Sequence, residues 1–328
     1  MLYRKAGVDI DKANEFVEYI KNKVGENIGL FGGLFDIKEI IKNYKHPILV
    51  SSTDGVGTKI EIARKMKNFK TIGIDLVAMN VNDIYVMKAK PLFFLDYYAV
   101  ENLNLEISKE IIDGIIEACL YCDCELIGGE TAELKGIFKK NKLDIAGFVV
   151  GIVEKDEIPK KENLKEGDII IGIPSNGFHS NGYTLIRKII KENKLKLNKI
   201  YKEISENESL GEILLKPTRI YKEILSINFK MACHITGGGF YDNIKRILRN
   251  DLSAKIKINY DIPKIFKFFV KIGNVPLNEA FRVWNMGIGM VLILNEKELS
   301  NLKIDYVVLG RIEKGNGEVC VDFSEVSI

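Results

Sequence analysis

The segment Asp54–Lys59 brings a carboxylate, two glycines and a cation into one short turn. It reads Asp-Gly-Val-Gly-Thr-Lys and follows Ile48–Val50, an apolar run that predicts a strand. The glycines allow backbone N–H groups to approach phosphate oxygens, the lysine neutralises charge, and the aspartate can hold a metal ion. The spacing differs from the P-loop pattern G-x-x-x-x-G-K-[ST], and Asp-Gly is also common in hairpin turns. The segment therefore indicates either a site for a magnesium-bound polyphosphate or an ordinary turn.

Four polar residues interrupt an apolar helical pattern that we predict from Gly73 to Ala89. They are Asp75, Asn80, Asn82 and Asp83. At about 100° per residue, Asp75 and Asn82 fall almost in line, and Asp83 lies about 80° further around the helix. An unpaired carboxylate inside an apolar helix is very costly, so these groups require partners. A metal ion shared with Asp54 is one such partner, and backbone groups or lysines are the alternative.

Gly128–Glu133 is predicted to be a loop that follows a strand ending at Ile127. Loops at strand ends often face ligands. Glu130 or Glu133 could complete an oxygen-rich coordination shell, which favours Mg²⁺ over softer metals. A simple turn before a solvent-facing helix is the alternative.

Two glycine-rich turns in the second half each carry a histidine and open a predicted helix. They are Ser175–Gly182, which contains His179, and His234–Phe240. Helix N-termini preceded by glycines present N–H groups to anions, so the turns could hold a second phosphorylated ligand. His179 could also act as an acid or base near neutral pH. The remaining histidine, His46, lies next to Pro47 and is interpreted as structural.

The composition predicts a globular, cytoplasmic protein. The chain has 328 residues, of which 46% are hydrophobic, and a net charge of +3. Its basic residues are not concentrated on one element, which argues against nucleic-acid binding. No signal peptide and no apolar run of about 18 residues is visible, so we expect no membrane association. Of the five cysteines, Cys119, Cys122 and Cys124 lie close together in the sequence and are interpreted as small buried residues rather than as zinc ligands, because a fourth ligand at a recognisable spacing is not visible.

The length predicts two domains, 1–157 and 158–328, with a charged linker near residues 154–167. Strands and helices do not alternate strictly, and paired strands occur near the end. This order favours an α+β architecture with mixed or antiparallel sheets. In the second half we predict helices near 180–193, 217–228, 240–250 and 261–272, and strands near 231–235, 253–259, 287–295, 306–312 and 318–323.

Together these segments resemble the aminoimidazole ribonucleotide synthetase, or phosphoribosylformylglycinamidine cyclo-ligase, family. The matching segments run in order along nearly the whole chain: Tyr3–Asp11, Ser52–Lys59, Thr71–Asp83, Pro91–Ala99, Gly128–Glu133, His179–Tyr183, Pro217–Tyr221 and His234–Phe240. The resemblance implies ATP-dependent closure of formylglycinamidine ribonucleotide to 5-aminoimidazole ribonucleotide, with release of ADP and phosphate. Another ATP-using member of the superfamily, of the selenophosphate synthetase or thiamine-phosphate kinase type, is the alternative.

The resemblance also implies a role for each candidate residue. The expected metal ligands are Asp54, Asp83 and Glu130, and the expected catalytic residues are Lys59, Asp83 and His179. ATP is expected to contact Lys21, Asp54, Gly55, Gly57, Thr58, Lys59, Asp75 and Asn82. The substrate is expected to contact Ser180, Asn181, His234, Thr236, Gly237, Gly238 and Gly239. The N-terminal domain is expected to bind ATP and Mg²⁺ and to form a homodimer around a shared β-barrel. The segment 25–35 is shorter than the family pattern.

Overall fold

The computed structural model describes residues 9–25, 28 and 31–327. The chain divides into two compact units, one formed by residues up to 84 together with 89–156, and the other by 85–88 with 157–328. Parts of the Tyr3–Asp11 and 25–35 segments discussed above lie outside the described residues. In the part of the chain that is described, no helix has both the length and the apolar character needed to cross a bilayer.

The first unit contains one sheet and five described α-helices. The helices are α1 (Ile10–Val24), α2 (Lys38–Ile41), α3 (Ile60–Met66), α4 (Lys70–Tyr85) and α5 (Leu105–Tyr121), and the strands are β1 (Pro47–Gly55), β2 (Lys90–Val100), β3 (Glu125–Glu133) and β4 (Leu143–Glu154). The strand order is β1-β4-β2-β3. The β1–β4 and β2–β4 pairs are antiparallel, whereas β2 and β3 are parallel.

Helices α4 and α5 cover one face of this sheet and touch each other at two glycines. A Cβ atom at Gly73 would lie 2.1 Å from the carbonyl oxygen of Ile111, and one at Gly114 would lie 2.0 Å from that of Lys70. Only glycine therefore permits this close helix crossing. The other face of the sheet carries exposed apolar side chains, with exposed fractions of 59% for Leu49, 45% for Tyr97 and 39% for Phe148.

The second unit contains a six-stranded sheet with helices. The helices are α6 (Tyr183–Glu192), α7 (Leu210–Leu215), α8 (Gly239–Ile247), α9 (Lys264–Ile272) and α10 (Leu277–Val283), and the strands are β5 (Ile169–Pro174), β6 (Met231–His234), β7 (Leu252–Lys257), β8 (Ile288–Leu294), β9 (Val307–Lys314) and β10 (Val319–Asp322). The order is β10-β7-β9-β5-β8-β6. Only the β10–β7 pair is parallel, and every residue of β8 is buried. The predicted α+β class with mixed sheets is confirmed.

Two predicted elements are wrong. Residues 217–228 form only a short 3₁₀ turn at Lys222–Ser226, because Tyr221 leaves helical geometry and turns its hydroxyl inward to donate to the carbonyl of Pro174. Residues 128–133 are not a loop but the second half of β3, paired with β2. Helix α7 was missed, although Ser209 and Glu212 form the capping box that marks its start.

Candidate active site

A row of two aspartates and two glycines crosses the sheet of the first unit. Asp54 on β1 faces Gly147 on β4, which faces Asp96 on β2, which faces Gly129 on β3. Directly opposed residues project from the same face of a sheet, so both carboxylates lie on the face covered by α4 and α5. A Cβ atom at Gly129 would lie 2.2 Å from Oδ1 of Asp96. The glycine therefore leaves the space that the Asp96 side chain occupies.

Asn80 of α4 ties the helix to this row. Its side chain is fully buried, and its Nδ2 donates to the carbonyl oxygens of Leu76 (2.8 Å) and Asp54 (3.2 Å). Its Oδ1 is buried and has no hydrogen-bond partner among the residues that the structure describes. Asp83 lies about one turn further along α4 and is half-buried, whereas Asn82 is fully buried. The end of β1 and the last turns of α4 thus place Asp54, Asn80 and Asp83 in one region.

Asp96 is a candidate site residue that the sequence interpretation missed. Burial, with a smaller contribution from the negative charge of Glu130, raises the pKa of Asp96 to about 7. A carboxyl group that titrates near neutrality is common at functional sites. The available signal was a single acidic residue within the apolar run Leu92–Tyr98. Its position in one row with Asp54, on the other side of β4, depends on strand register.

Lys59 and Asp75 form a buried ion pair. Both side chains are fully buried, and Nζ of Lys59 lies 2.7 Å from Oδ2 and 3.0 Å from Oδ1 of Asp75. Burial lowers the pKa of Lys59 and its carboxylate partner opposes this shift. The structure therefore differs from the expectation that Lys59 faces ATP phosphates and that Asp75 contacts the cofactor. The short 3₁₀ turn Gly57–Lys59 directs the lysine into the core while Gly57 and Thr58 remain exposed.

The three carboxylates expected to hold a metal ion are not gathered into one shell. Glu130 follows Gly129 by one residue on β3, so it projects from the opposite face to Asp54 and Asp96. Glu133 instead accepts hydrogen bonds from the backbone N–H groups of Asp9 and Leu103, both at 2.8 Å. Within residues 9–25, 28 and 31–327, no three His, Cys, Asp or Glu side chains form a group that could hold a metal ion. The reason is that residues 128–133 are strand, whose side chains alternate between faces.

Lys21, expected to contact nucleotide, lies in the last turn of α1. Its ammonium group is 3.2 Å from the carboxylate of Glu18, and its side chain is 31% exposed. Helix α1 packs on α5, where the hydroxyl of Tyr19 donates to Asp113 at 2.9 Å. The nucleotide role of Lys21 stays a prediction.

The second unit brings the two predicted histidines together with a tyrosine. The ring centroids of His179, His234 and Tyr221 are 6.1 to 6.4 Å apart. Both histidines are at most 5% exposed, and His179 has a φ of +58°. A Cβ atom at Gly289 would lie 2.4 Å from Cε1 of His179 and 2.0 Å from the hydroxyl of Tyr221. A glycine on β8 therefore makes room for this cluster, and Tyr221 was not predicted from the sequence.

The other expected substrate residues lie on the loops that carry these histidines. The hydroxyls of Ser180 and Thr218 are 3.0 Å apart. Nδ2 of Asn181 is buried and has no hydrogen-bond partner in the described part of the chain. After His234, the chain continues through Thr236 and Gly237 to Gly238 and Gly239, whose φ values are +92° and +56°. Gly239 is also tightly packed, because a Cβ atom there would lie 1.9 Å from the carbonyl oxygen of Phe281.

Solved structures similar to this chain share its fold at low sequence identity. A thiamine-monophosphate kinase from Stenotrophomonas maltophilia K279a has a TM-score of 0.64 at 18% identity, over 85% of this chain and 86% of that one. The E. coli hydrogenase maturation protein HypE has a TM-score of 0.67 at 13% identity, over 95% and 93% of the two chains. At these identities, the similarity concerns the fold alone.

Sequence comparison is more specific. Residues 39–153 match the family model "AIR synthase related protein, N-terminal domain", and residues 165–322 match the corresponding C-terminal domain. A protein of Thermoanaerobacter pseudethanolicus named phosphoribosylformylglycinamidine cyclo-ligase is 47% identical, over 97% of this chain and 99% of that protein. One of the same name from Syntrophus aciditrophicus is 48% identical, over 96% of each. Both halves of the chain are thus covered, and the protein belongs to the AIR synthase related family, in the group of its phosphoribosylformylglycinamidine cyclo-ligases.

Proposed function

We propose that the protein catalyses the ATP-dependent cyclisation of formylglycinamidine ribonucleotide to 5-aminoimidazole ribonucleotide, with release of ADP and phosphate, in purine biosynthesis. The observation that carries this proposal is the identity of 47–48% with proteins of that name over at least 96% of the chain. The kinase and hydrogenase maturation folds are similar only at 13–18% identity. A selenophosphate synthetase or thiamine-phosphate kinase activity is therefore the weaker alternative.

The first unit supports a role in binding ATP with Mg²⁺. Asp54 and Asp83 would hold the ion without Glu130, which projects from the opposite face of the sheet, and the oxygen of Asn80 adds a buried acceptor near Asp54. These are the hard oxygen donors that suit Mg²⁺, which is usually held by one or two carboxylates plus substrate phosphates. A complete protein shell is therefore not required. Bound Mg²⁺ would neutralise charge on the triphosphate.

Nucleotide contacts in the same unit are proposed at the glycine turn. Gly55, Gly57 and Thr58 provide backbone near Asp54, and Lys21 and Asn82 are further proposed contacts. We propose that Lys59 and Asp75 support this turn from inside, because their ion pair anchors its last residue to α4. This chemistry depends mainly on positioning and on electrostatic stabilisation of the transferred phosphoryl group.

The second unit supports binding and proton transfer for the nucleotide substrate. ATP would phosphorylate the formyl oxygen and leave as ADP. An amidine nitrogen would then attack the activated carbon and lose a proton, and the C–O bond to the phosphorylated oxygen would break with release of phosphate. His179 is the proposed acceptor of that proton, with His234 and Tyr221 packed beside it. The backbone of Thr236–Gly239, which opens α8, would contact the substrate together with Ser180 and Asn181.

Two further properties are proposed for the assembly and its location. The exposed apolar face that carries Leu49, Tyr97 and Phe148 supports a homodimer formed through the first unit, with the two sheets closing into a barrel. We also propose that the enzyme works in the cytoplasm.

The test is ADP release by purified protein supplied with ATP, Mg²⁺ and formylglycinamidine ribonucleotide. We expect release only when that ribonucleotide is present, together with formation of the aminoimidazole product. Release that instead required thiamine phosphate or selenide would overturn the proposal.

Asp83→Asn should lower turnover by a factor of about 100 or more without unfolding, since it removes a charge from the proposed ion site. Asp251→Asn, a carboxylate paired with Arg249 on the surface of the second unit, is the matched control.

A further inference from the structure

Two buried asparagines each hold one of the glycine-rich loops of the second unit. Asn285 and Asn243 are both 2% exposed. The carboxamide of each contacts backbone groups of a loop that carries or follows a candidate histidine. A buried amide with satisfied donor and acceptor groups fixes the surrounding backbone, because leaving either group unpaired is costly.

Asn285 uses both ends of its side chain. Its Nδ2 donates to the carbonyl of Gly177 at 2.8 Å. Its Oδ1 accepts from the N–H of Gly287 at 2.9 Å and lies 3.1 Å from the hydroxyl of Ser175. The side chain therefore links the turn before β8 to the loop after β5.

The turn that presents Asn285 is itself constrained. The N–H of Ile288 donates to the carbonyl of Asn285 at 2.9 Å, and the two central residues, Met286 and Gly287, have φ values of +49° and +100°. These values fit a type I′ turn, in which a methionine is unfavourable. The carbonyl of Gly287 then accepts from the N–H of Ser175 at 2.8 Å. Asn285 thus stabilises both strands of this connection.

The loop held by Asn285 leads directly to His179. Gly177 precedes the histidine by two residues, and the N–H of Asn176 donates to Nε2 of His179 at 3.3 Å. His179 itself has a φ of +58°, a conformation that persists only where the surroundings enforce it. Ser175, Asn176 and Gly177 also line a cavity of about 460 Å³. A displacement of Gly177 would therefore move both the imidazole and a wall of this cavity.

Asn243 performs the same task at the other loop. It lies on α8, and its Nδ2 donates to the carbonyl oxygens of Gly239 at 2.8 Å and Gly237 at 3.3 Å. Its Oδ1 lies 3.5 Å from the hydroxyl of Thr236. The loop contains two glycines with positive φ, which leave its backbone few intrinsic restraints.

We propose that Asn285 and Asn243 are positioning residues for the cyclisation, Asn285 by fixing the loop of His179 and Asn243 by fixing the Thr236–Gly239 backbone. This assignment rests on the proposed function. Neither side chain is among the proposed contacts of ATP or of the ribonucleotide. Each acts through the loop whose carbonyl groups it holds.

The kinetic test compares Asn285→Ala, Asn285→Asp and Asn243→Ala with a matched buried control. Ser253→Ala is that control, because Ser253 is 3% exposed and its hydroxyl oxygen accepts hydrogen bonds from the backbone N–H groups of Asn316 and Glu318. Ser253 lies on β7, which β9 separates from β5 in the sheet. Displacement of a reacting group by about 1 Å can lower a rate about 100-fold. We expect kcat to fall by about that factor in both Asn285 variants, with KM for ATP within about 3-fold of wild type.

The kinetic parameters that change distinguish the roles of the two asparagines. Asn243→Ala should raise KM for the ribonucleotide as well as lower kcat, because the loop it holds is the proposed substrate contact. Ser253→Ala should retain wild-type kcat even where its Tm falls as much as that of the asparagine variants. Wild-type kcat in folded Asn285→Asp, or an equal loss of kcat in Ser253→Ala, would overturn the assignment. Asn285→Asp keeps the side-chain shape and both acceptor contacts, so it serves if the alanine variant does not fold.

A second measurement does not depend on activity. The chain has three histidines, so the imidazole C–H signals of His46, His179 and His234 can be resolved by NMR. Asn285→Asp should shift the His179 signals and leave those of His46, in the first unit, unchanged. Unchanged His179 signals would contradict the positioning role. Failure of the wild-type protein to cyclise the ribonucleotide would refute the proposed function. The NMR measurement would still test whether Asn285 fixes the loop that carries His179.

Discussion

Replacing Lys59 with methionine should destabilise the first unit by about 3–5 kcal/mol, because the carboxylate of Asp75 would remain buried without its cation. The magnitude follows from the geometry. At the 2.7 Å separation of Nζ and Oδ2, and with an effective dielectric constant of about 20, the Coulomb attraction is about 6 kcal/mol. The desolvation of two fully buried ions costs several kcal/mol each and offsets this attraction. The net contribution of the ion pair to the free energy of folding is thus close to zero, whereas a buried carboxylate that has lost its lysine partner is strongly unfavourable.

The double variant Lys59→Met/Asp75→Leu should recover most of the lost stability, since it removes both desolvation penalties and keeps apolar volume. A suitable control is Lys70→Met, which removes one partner of an exposed ion pair with Glu117 at 2.6 Å. Exposed pairs contribute about 0–1 kcal/mol, so this variant should differ little from wild type. The comparison isolates burial, because both single changes replace a lysine by methionine in the same unit.

The assay is urea unfolding followed by circular dichroism, with fluorescence of Trp284 as a separate report on the second unit, since the chain has one tryptophan. Wild-type stability in Lys59→Met, or a double variant no more stable than Lys59→Met, would refute the conclusion that the unpaired buried carboxylate causes the loss.

The affinity of these variants for ATP is a second criterion. If Lys59 contacts phosphate directly, affinity for ATP should fall in both variants; if it supports the turn from inside, affinity should recover with stability in the double variant.

Three further predictions concern the first unit. The pKa of Asp96 is raised from 3.8 to about 7, so the contribution of its carboxyl group to stability is present below about pH 4 and is lost as pH rises through 7. In metal-free buffer, the free energy of unfolding of Asp96→Asn should exceed that of wild type by up to about 4 kcal/mol at pH 8 and by nothing at pH 4. Urea unfolding that showed the same difference at both pH values would contradict this prediction. Gly73→Ala should lower the free energy of unfolding by about 3 kcal/mol or more, because its Cβ atom would lie 2.1 Å from the backbone of Ile111. Thermal unfolding measures this loss. The control Gly32→Ala should be neutral, because a Cβ atom at Gly32 would have no atom within 4 Å. Phe148→Asp should produce monomers in sedimentation experiments without unfolding, because it charges the exposed apolar face, and dimers of wild-type affinity would exclude that face as the interface.

Much of the candidate site could be predicted from local sequence, since its chemistry lies in short motifs. Asp54 with its glycines and the loops of His179 and His234 follow predicted strands, and the structure places them at strand ends as expected. The family resemblance, which rests on the order and spacing of such motifs, is confirmed by matches to both halves of the chain. The metal and substrate roles of the individual residues stay predictions.

What depends on the packing of distant segments could not be predicted in this way. The sequence determined the types of group available, the fold class and the family, because residue identity and periodicity are local properties. The tertiary structure alone decided that Lys59 turns inward to Asp75, that Asp96 lies in register with Asp54, and that Glu130 projects from the opposite face. Each of these outcomes depends on strand register or on burial, and a shift of one residue along a strand moves a side chain to the other face.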